Sequence, residues 1–166
     1  MTSHSLPTRS RSFWIVLCAI LLTVMGLTML KDWWLTGQQP NVLYNHLVQP
    51  VDILGAAGVV ALVANLFGQE EVVFRDVLAI NIGVSALMQI TEIIAKVVYY
   101  KVYAYPSLLY AAFTLSLYIT LLGYGLIRWT GVRGWMAFAL AVTALIGSWL
   151  AVVLFTVMTG VAITGA

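Results

Sequence analysis

The sequence predicts an all-α, polytopic integral membrane protein, a bundle of about five transmembrane helices with one short interfacial helix. Three observations carry that expectation. Of the 166 residues, 62% are hydrophobic and only 8% charged, against about 25% charged in an ordinary soluble domain. The mean hydropathy is +0.99. The apolar residues gather into five runs, each close to the ~20 residues that a helix needs to cross a bilayer.

Those runs fall at about 13–30, 51–67, 77–100, 107–127 and 135–161. Residues 13–166 thus read as one transmembrane domain behind a polar tail, residues 1–12, that carries Arg9 and Arg11. The first run resembles a signal peptide, but it is longer than a typical h-region and no small-x-small cleavage pattern leads into a soluble domain, so it reads as a retained helix. Cys18, the sole cysteine, excludes an intramolecular disulfide and any multi-cysteine metal site, and is expected to be a small buried hydrophobe.

Lys31 to Pro50 is the one long connection. Trp33 and Trp34 suit an aromatic belt at the membrane surface, Gly37 and Pro40 punctuate, and Asn41 to Gln49 reads as a short helix lying along that surface. His46 falls there. The other histidine, His4, is in the polar tail, so His46 lacks co-ligands and neither a metal nor a haem is expected.

The second run contains Gly55, Gly58, Ala61 and Ala64, small residues that let two helix backbones approach, so it should pack inside the bundle or at a subunit contact. Asp52, beside Pro50, reads as a carboxylate favoured by the helix N-terminus, with a cation-site role as the minority reading. The charged turn Gly68 to Asp76 follows, with Asp76 as the expected N-cap of the third helix. The turn Lys101 to Pro106 is short, which makes the third and fourth helices antiparallel neighbours, and its tyrosines fit a second aromatic belt. The fourth run spaces Tyr110, Thr114 and Tyr118 four apart. The fifth presents Ala137, Ala141, Ala144, Ser148 and Ala151 as a small-residue face.

The third run holds the chemistry. Asn81, Ser85, Gln89, Glu92 and Lys96 follow at steps of four, four, three and four, which on a helix is one stripe. Ionisable groups at membrane depth cost several kcal/mol, so the stripe should face protein or a watery cavity and marks a candidate site. Counted from the short turn, Glu92 stands level with Thr114 to Tyr118, whose hydroxyls are its expected cross-helix partners. Lys96 lies one turn on. Paired with Lys96, Glu92 stays ionised and holds structure; left alone, it takes up a proton and becomes a shuttle candidate.

Five spans with a cytoplasmic N-terminus put Arg9, Arg11, Arg75, Arg128 and Arg133 inside and Lys31 and Lys101 outside. That meets the positive-inside rule and predicts a multi-pass plasma (inner) membrane protein whose C-terminus is outside. No phosphate loop, nucleophile elbow, zinc-protease motif, cysteine pair or basic cluster for nucleic acid is present, and no stretch is specific enough to name a family. Neither catalytic residues nor cofactors are expected, and the balance leans away from an enzyme. The expected function is a structural or accessory subunit, a homo-oligomer or part of a larger membrane complex, in which Glu92 and Lys96 fix helix packing or partner contact. The alternatives are a small proton- or cation-coupled transporter or channel built on Glu92, and a quinone- or lipid-linked enzyme using the loop of Trp33, Trp34 and His46.

Overall fold

The computed structural model describes residue 8 and residues 10–36, 48–70, 72–99 and 108–159, which form helices and no strand. The helices are α1 (Arg11–Thr36), α2 (Gln49–Leu66), α3 (Phe74–Tyr99), α4 (Leu108–Thr130) and α5 (Gly134–Thr159). All five are long and apolar enough to cross a membrane. Helices α2 to α5 pack each on the next, and α5 returns against α2, so the four close into a ring; α1 stands outside it against α3. The core is the ring's interior. Leu122, Leu126, Val60 and Val77 are fully buried there, joined by Leu140, Met136 and Val132.

Local chemistry sets the turns. The α2 chain stops at Gly68, which takes φ +69° while its N–H donates to the Asn65 carbonyl at 3.0 Å and that of Gln69 donates to the Ala64 carbonyl at 2.9 Å. This is the paired hydrogen bonding of a Schellman motif, and a glycine adopts the left-handed residue it needs at no steric cost. Gly131, at φ 76°, ends α4 in the same region of backbone space. Thus α4 continues to Thr130, whose hydroxyl returns to the Leu126 carbonyl at 2.6 Å.

The closure between α2 and α5 is a backbone contact. A Cβ built on Gly147 would meet Val59 Cβ at 2.6 Å and the Gly55 carbonyl oxygen at 2.7 Å, and one built on Gly55 would collide with the Ala151 side chain and with the Gly147 carbonyl oxygen at 2.7 Å. Ala137, Ala141 and Ala144 of α5 and Ala57 and Ala64 of α2 are fully buried along the same contact. The small-residue faces therefore close the chain's own ring and are not turned outward to a partner. Gly58, grouped with Gly55 in the sequence, is not part of this contact: nothing lies within 4 Å of where its Cβ would stand. The seam follows Gly55 and Val59, residues four apart on one face, and Gly58 is rotated off it.

Other expectations need correction. Helix α1 does not stop at Leu30 but runs to Thr36, so Lys31 to Leu35 belong to the helix and not to the connection. No glycine or proline lies between Leu30 and Gly37, and Lys31 and Asp32 pair with each other at 2.8 Å. Asp76 is not an N-cap. Helix α3 begins two residues earlier, and the Asp76 carboxylate accepts a 2.6 Å bond from Thr8, whose own carbonyl accepts from Trp14 Nε1 at 2.8 Å. Cys18 is exposed on the outer face of α1, because α1 is peripheral and most of its circumference is uncovered. The proposed surface helix, Asn41 to Gln49, lies outside the described residues up to position 47, and Gln49 opens α2.

Gly55→Leu should lower the thermal midpoint of the detergent-purified protein by an amount corresponding to about 1–3 kcal/mol or more, since the added atoms have no space. Gly58→Leu should leave it nearly unchanged. Equal losses in the two variants would place the α2–α5 seam elsewhere.

Candidate functional site

Helix α3 packs against α1, α2 and α4, and its polar residues are divided among those neighbours. Towards α1 they form a charged seam. The Lys31 ammonium lies 2.8 Å from the Asp32 carboxylate and 3.6 Å from Glu92, and Glu92 lies 2.5 Å from Lys96 one turn along its own helix. Thr28, one turn before Lys31, donates to Gln89 Oε1 at 3.3 Å. Both cross-helix pairs have the same sequence offset, so α1 and α3 run parallel in a single register. Two acids and two bases make the cluster neutral, although the Lys31 side chain is only 3% exposed.

This arrangement differs from the expected one. Neither Thr114 nor Tyr118 reaches Glu92: the Thr114 hydroxyl donates to the Ala111 carbonyl of its own helix at 3.0 Å, and the Tyr118 hydroxyl donates to Asn81. Sequence reasoning placed Lys31 in the outer loop and so missed Glu92's partner on α1. The available signal was that LKDWWL continues without a helix breaker, with Lys31 and Asp32 directly behind an apolar run. Trp33 and Trp34 sit exposed on the last turns of α1, and His46 lies outside the described residues.

Towards the ring, Asn81 is a three-helix node. It is 1% exposed, its Nδ2 donates to the Ile53 carbonyl of α2 at 3.0 Å, and its Oδ1 accepts the Tyr118 hydroxyl of α4 at 2.9 Å. An amide has both a donor and an acceptor end, so one side chain can join two neighbours, which an apolar residue cannot. The bond to Ile53 also sets the depth of α2. Ile53, one turn into α2, stands level with a point about two turns into α3.

Asp52 is consequently held within the bundle. Ser148, near the middle of α5, donates its hydroxyl to the Asp52 carboxylate. Beside this pair opens a cleft of about 520 Å³ between α2, α3, α4 and α5, whose polar lining includes Asp52, Ser148, Ser85, Gln89, Thr114 and Tyr118. Among the described residues no lysine or arginine pairs with Asp52. Gln89 borders both regions: its oxygen faces Thr28, while its Nε2 is buried without a hydrogen-bond partner among the described residues. Of the predicted site, then, Ser85, Gln89, Thr114 and Tyr118 converge on the cleft with Asn81 beneath, whereas Glu92 and Lys96 belong to the seam.

No family model matches this chain, and no curated protein or solved structure is similar to it. What the two regions can do follows from their own chemistry. The seam, with its charges mutually satisfied, holds two helices in register. The cleft offers a carboxylate, hydroxyls and apolar walls to something else.

Asn81→Leu removes both bonds and leaves the Tyr118 hydroxyl without its acceptor, at about 1–3 kcal/mol, while the Ile53 carbonyl keeps its place in the helical ladder of α2. Tyr118→Phe likewise leaves Asn81 Oδ1 without its donor, at about 1–3 kcal/mol, but spares the bond to α2. Denaturation of the two variants in mild detergent should therefore show the asparagine loss as the larger, by the bond to α2. A larger loss for Tyr118→Phe would refute the node.

Proposed function

We propose that the protein is a structural or accessory subunit of a plasma-membrane assembly, and that the charged seam serves to fix α1 on the ring so that α1 can meet a partner chain. The observation that carries this reading is the position of Glu92, which is flanked by Lys96 at 2.5 Å and Lys31 at 3.6 Å on the α1–α3 contact and does not line the cleft. A carboxylate held between two ammonium groups is a fastener. Charge pairs on transmembrane helices face one another or a partner, since lipid gives them nothing.

The geometry favours α1 as the contact helix. The small faces of α2 and α5 are consumed by ring closure, and α1 is the least covered of the described helices, 11% of its span being buried against 22–44% in the others, with Ile15, Leu22, Leu30 and Trp34 exposed. In this reading the five helices cross the inner membrane with the N-terminus cytoplasmic, which places Arg75, Arg128 and Arg133 on the cytoplasmic side and the C-terminus outside. A reporter fused after Ala166 should be active only outside; a cytoplasmic signal would reverse the proposed topology.

The alternative is a proton- or cation-coupled transporter built on Glu92, and the two readings separate on one residue. Glu92→Gln leaves Lys96 without its counter-charge, while Lys31 keeps Asp32 at 2.8 Å; both members of the lost pair are partly exposed, so the cost lies below the about 3–5 kcal/mol of a fully buried pair. The thermal midpoint should fall, and Glu92→Gln combined with Lys96→Met should recover much of the loss. A Glu92→Gln protein of normal stability that has lost a pH-dependent flux in liposomes would defeat the structural reading and put the transporter in its place.

Cys18, the sole cysteine and exposed on α1, gives a direct handle on assembly. Treating native membranes with a short bis-maleimide should trap a covalent dimer through Cys18 if the partner is a second copy. Quantitative monomer labelling without a dimer would exclude a homo-oligomer joined through this face of α1.

A further inference from the structure

The cleft shares only Gln89 with the seam, and among the described residues no ammonium stands beside its carboxylate. We propose that this cleft is a binding site for a lipophilic monocation, an ammonium group on an apolar body, with Asp52 as the counter-ion. This assignment is independent of the role given to Glu92.

Size comes first. At about 520 Å³ the cleft is far larger than a bare cation and lies within the ~300–1,000 Å³ of small-molecule sites, which are mostly apolar with a few placed polar groups. Its walls follow that division. Met88, Leu115 and Leu145 supply apolar surface, and Asp52, Ser85 and Ser148 supply oxygen acceptors. A primary ammonium has three donors and no acceptor, so carboxylate and hydroxyl oxygens complement it.

Charge narrows the class. The described partner of Asp52 is a neutral hydroxyl, Ser148, which leaves lone pairs on the carboxylate. In an apolar surround the attraction of such a group for a cation is several times its value in water. Among the described residues no lysine or arginine lines the cleft, so none of them competes for that position. The same fact selects between two sources of an ammonium. The headgroup of a zwitterionic phospholipid would bring a phosphate to a cleft with a carboxylate and no base, whereas a free lipophilic amine brings only the charge that the site lacks.

Access agrees with an amphiphile. Ala111 and Leu115, which border the cleft on α4, are exposed, so the cleft is open along that helix. The apolar body can therefore lie toward the outside of the bundle while the ammonium reaches Asp52.

The test uses the full chain in phosphatidylcholine nanodiscs, titrated calorimetrically with octylamine and, separately, with octanol, against empty nanodiscs. Saturable one-to-one binding of octylamine is expected, with octanol at least about tenfold weaker because it has the same body without the charge. Asp52→Asn should weaken octylamine by about tenfold or more, and Ala111→Trp, which crowds the mouth and leaves the carboxylate intact, should weaken it too. Equal octylamine affinity in the wild type and Asp52→Asn, or octanol binding as well as octylamine, overturns the proposal. Should Asp52→Asn fail to fold, octanol and Ala111→Trp decide alone. If phosphatidylethanolamine added to the nanodiscs displaces octylamine, the occupant is a lipid headgroup and the assignment to a free amine is wrong.

Discussion

A polar side chain inside an apolar bundle has to find its partner in the protein, and α3 bears five of them in one stripe. Three of them, Asn81, Gln89 and Glu92, resolve that requirement by deciding where another helix goes. The amide of Asn81 draws in the α2 backbone on one side and the Tyr118 hydroxyl of α4 on the other. Glu92 holds Lys31, and Gln89 accepts from Thr28, so α1 is bound parallel to α3 even though it lies outside the ring. Hydrophobic burial packs helices without specifying register; directional bonds with this spacing do specify it.

Close backbone contact makes the second contribution. At Gly55 and Gly147 the carbonyl of one helix occupies the space where the other would have a side chain, and dispersion contacts of that kind are the main source of helix association when the surroundings are as apolar as the side chains. The contact holds α2 against the middle of α5. Together with the Asn81 bond it carries the first turn of α2, and with it Asp52, into the bundle. The ring is thereby divided along its length. The part containing Leu122, Leu126, Leu140 and Met136 is filled with apolar side chains, and the part beside the first turn of α2 is left as a cleft with a carboxylate in its wall.

The two polar regions differ in one physical respect that separates their roles. In the seam every charge has an opposite charge within 4 Å and the sum is zero. In the cleft, among the described residues, one negative group meets a neutral hydroxyl and no base. A neutral cluster is complete without a ligand, and a lone carboxylate is complete only with a proton or a cation. Gln89 touches both regions, so the packing of α1 and the shape of the cleft share one side chain.

The sequence by itself determined the number and approximate extent of the helices, the stripe on α3 and the i,i+4 pairing of Glu92 with Lys96, because these depend on composition and on a helical period that acts over neighbouring residues. It also marked α2 and α5 as helices that pack closely. Only the tertiary structure decided that Lys31 is a buried partner of Glu92, that Gly55 and not Gly58 touches α5, that Tyr118 serves Asn81, and that Asp52 lies beside Ser148 well inside the bundle. Each of these depends on the rotation and axial offset of one helix against another. Those two quantities are set by side-chain bonds between residues 28 to 96 positions apart in the chain, and no local period of the sequence contains them.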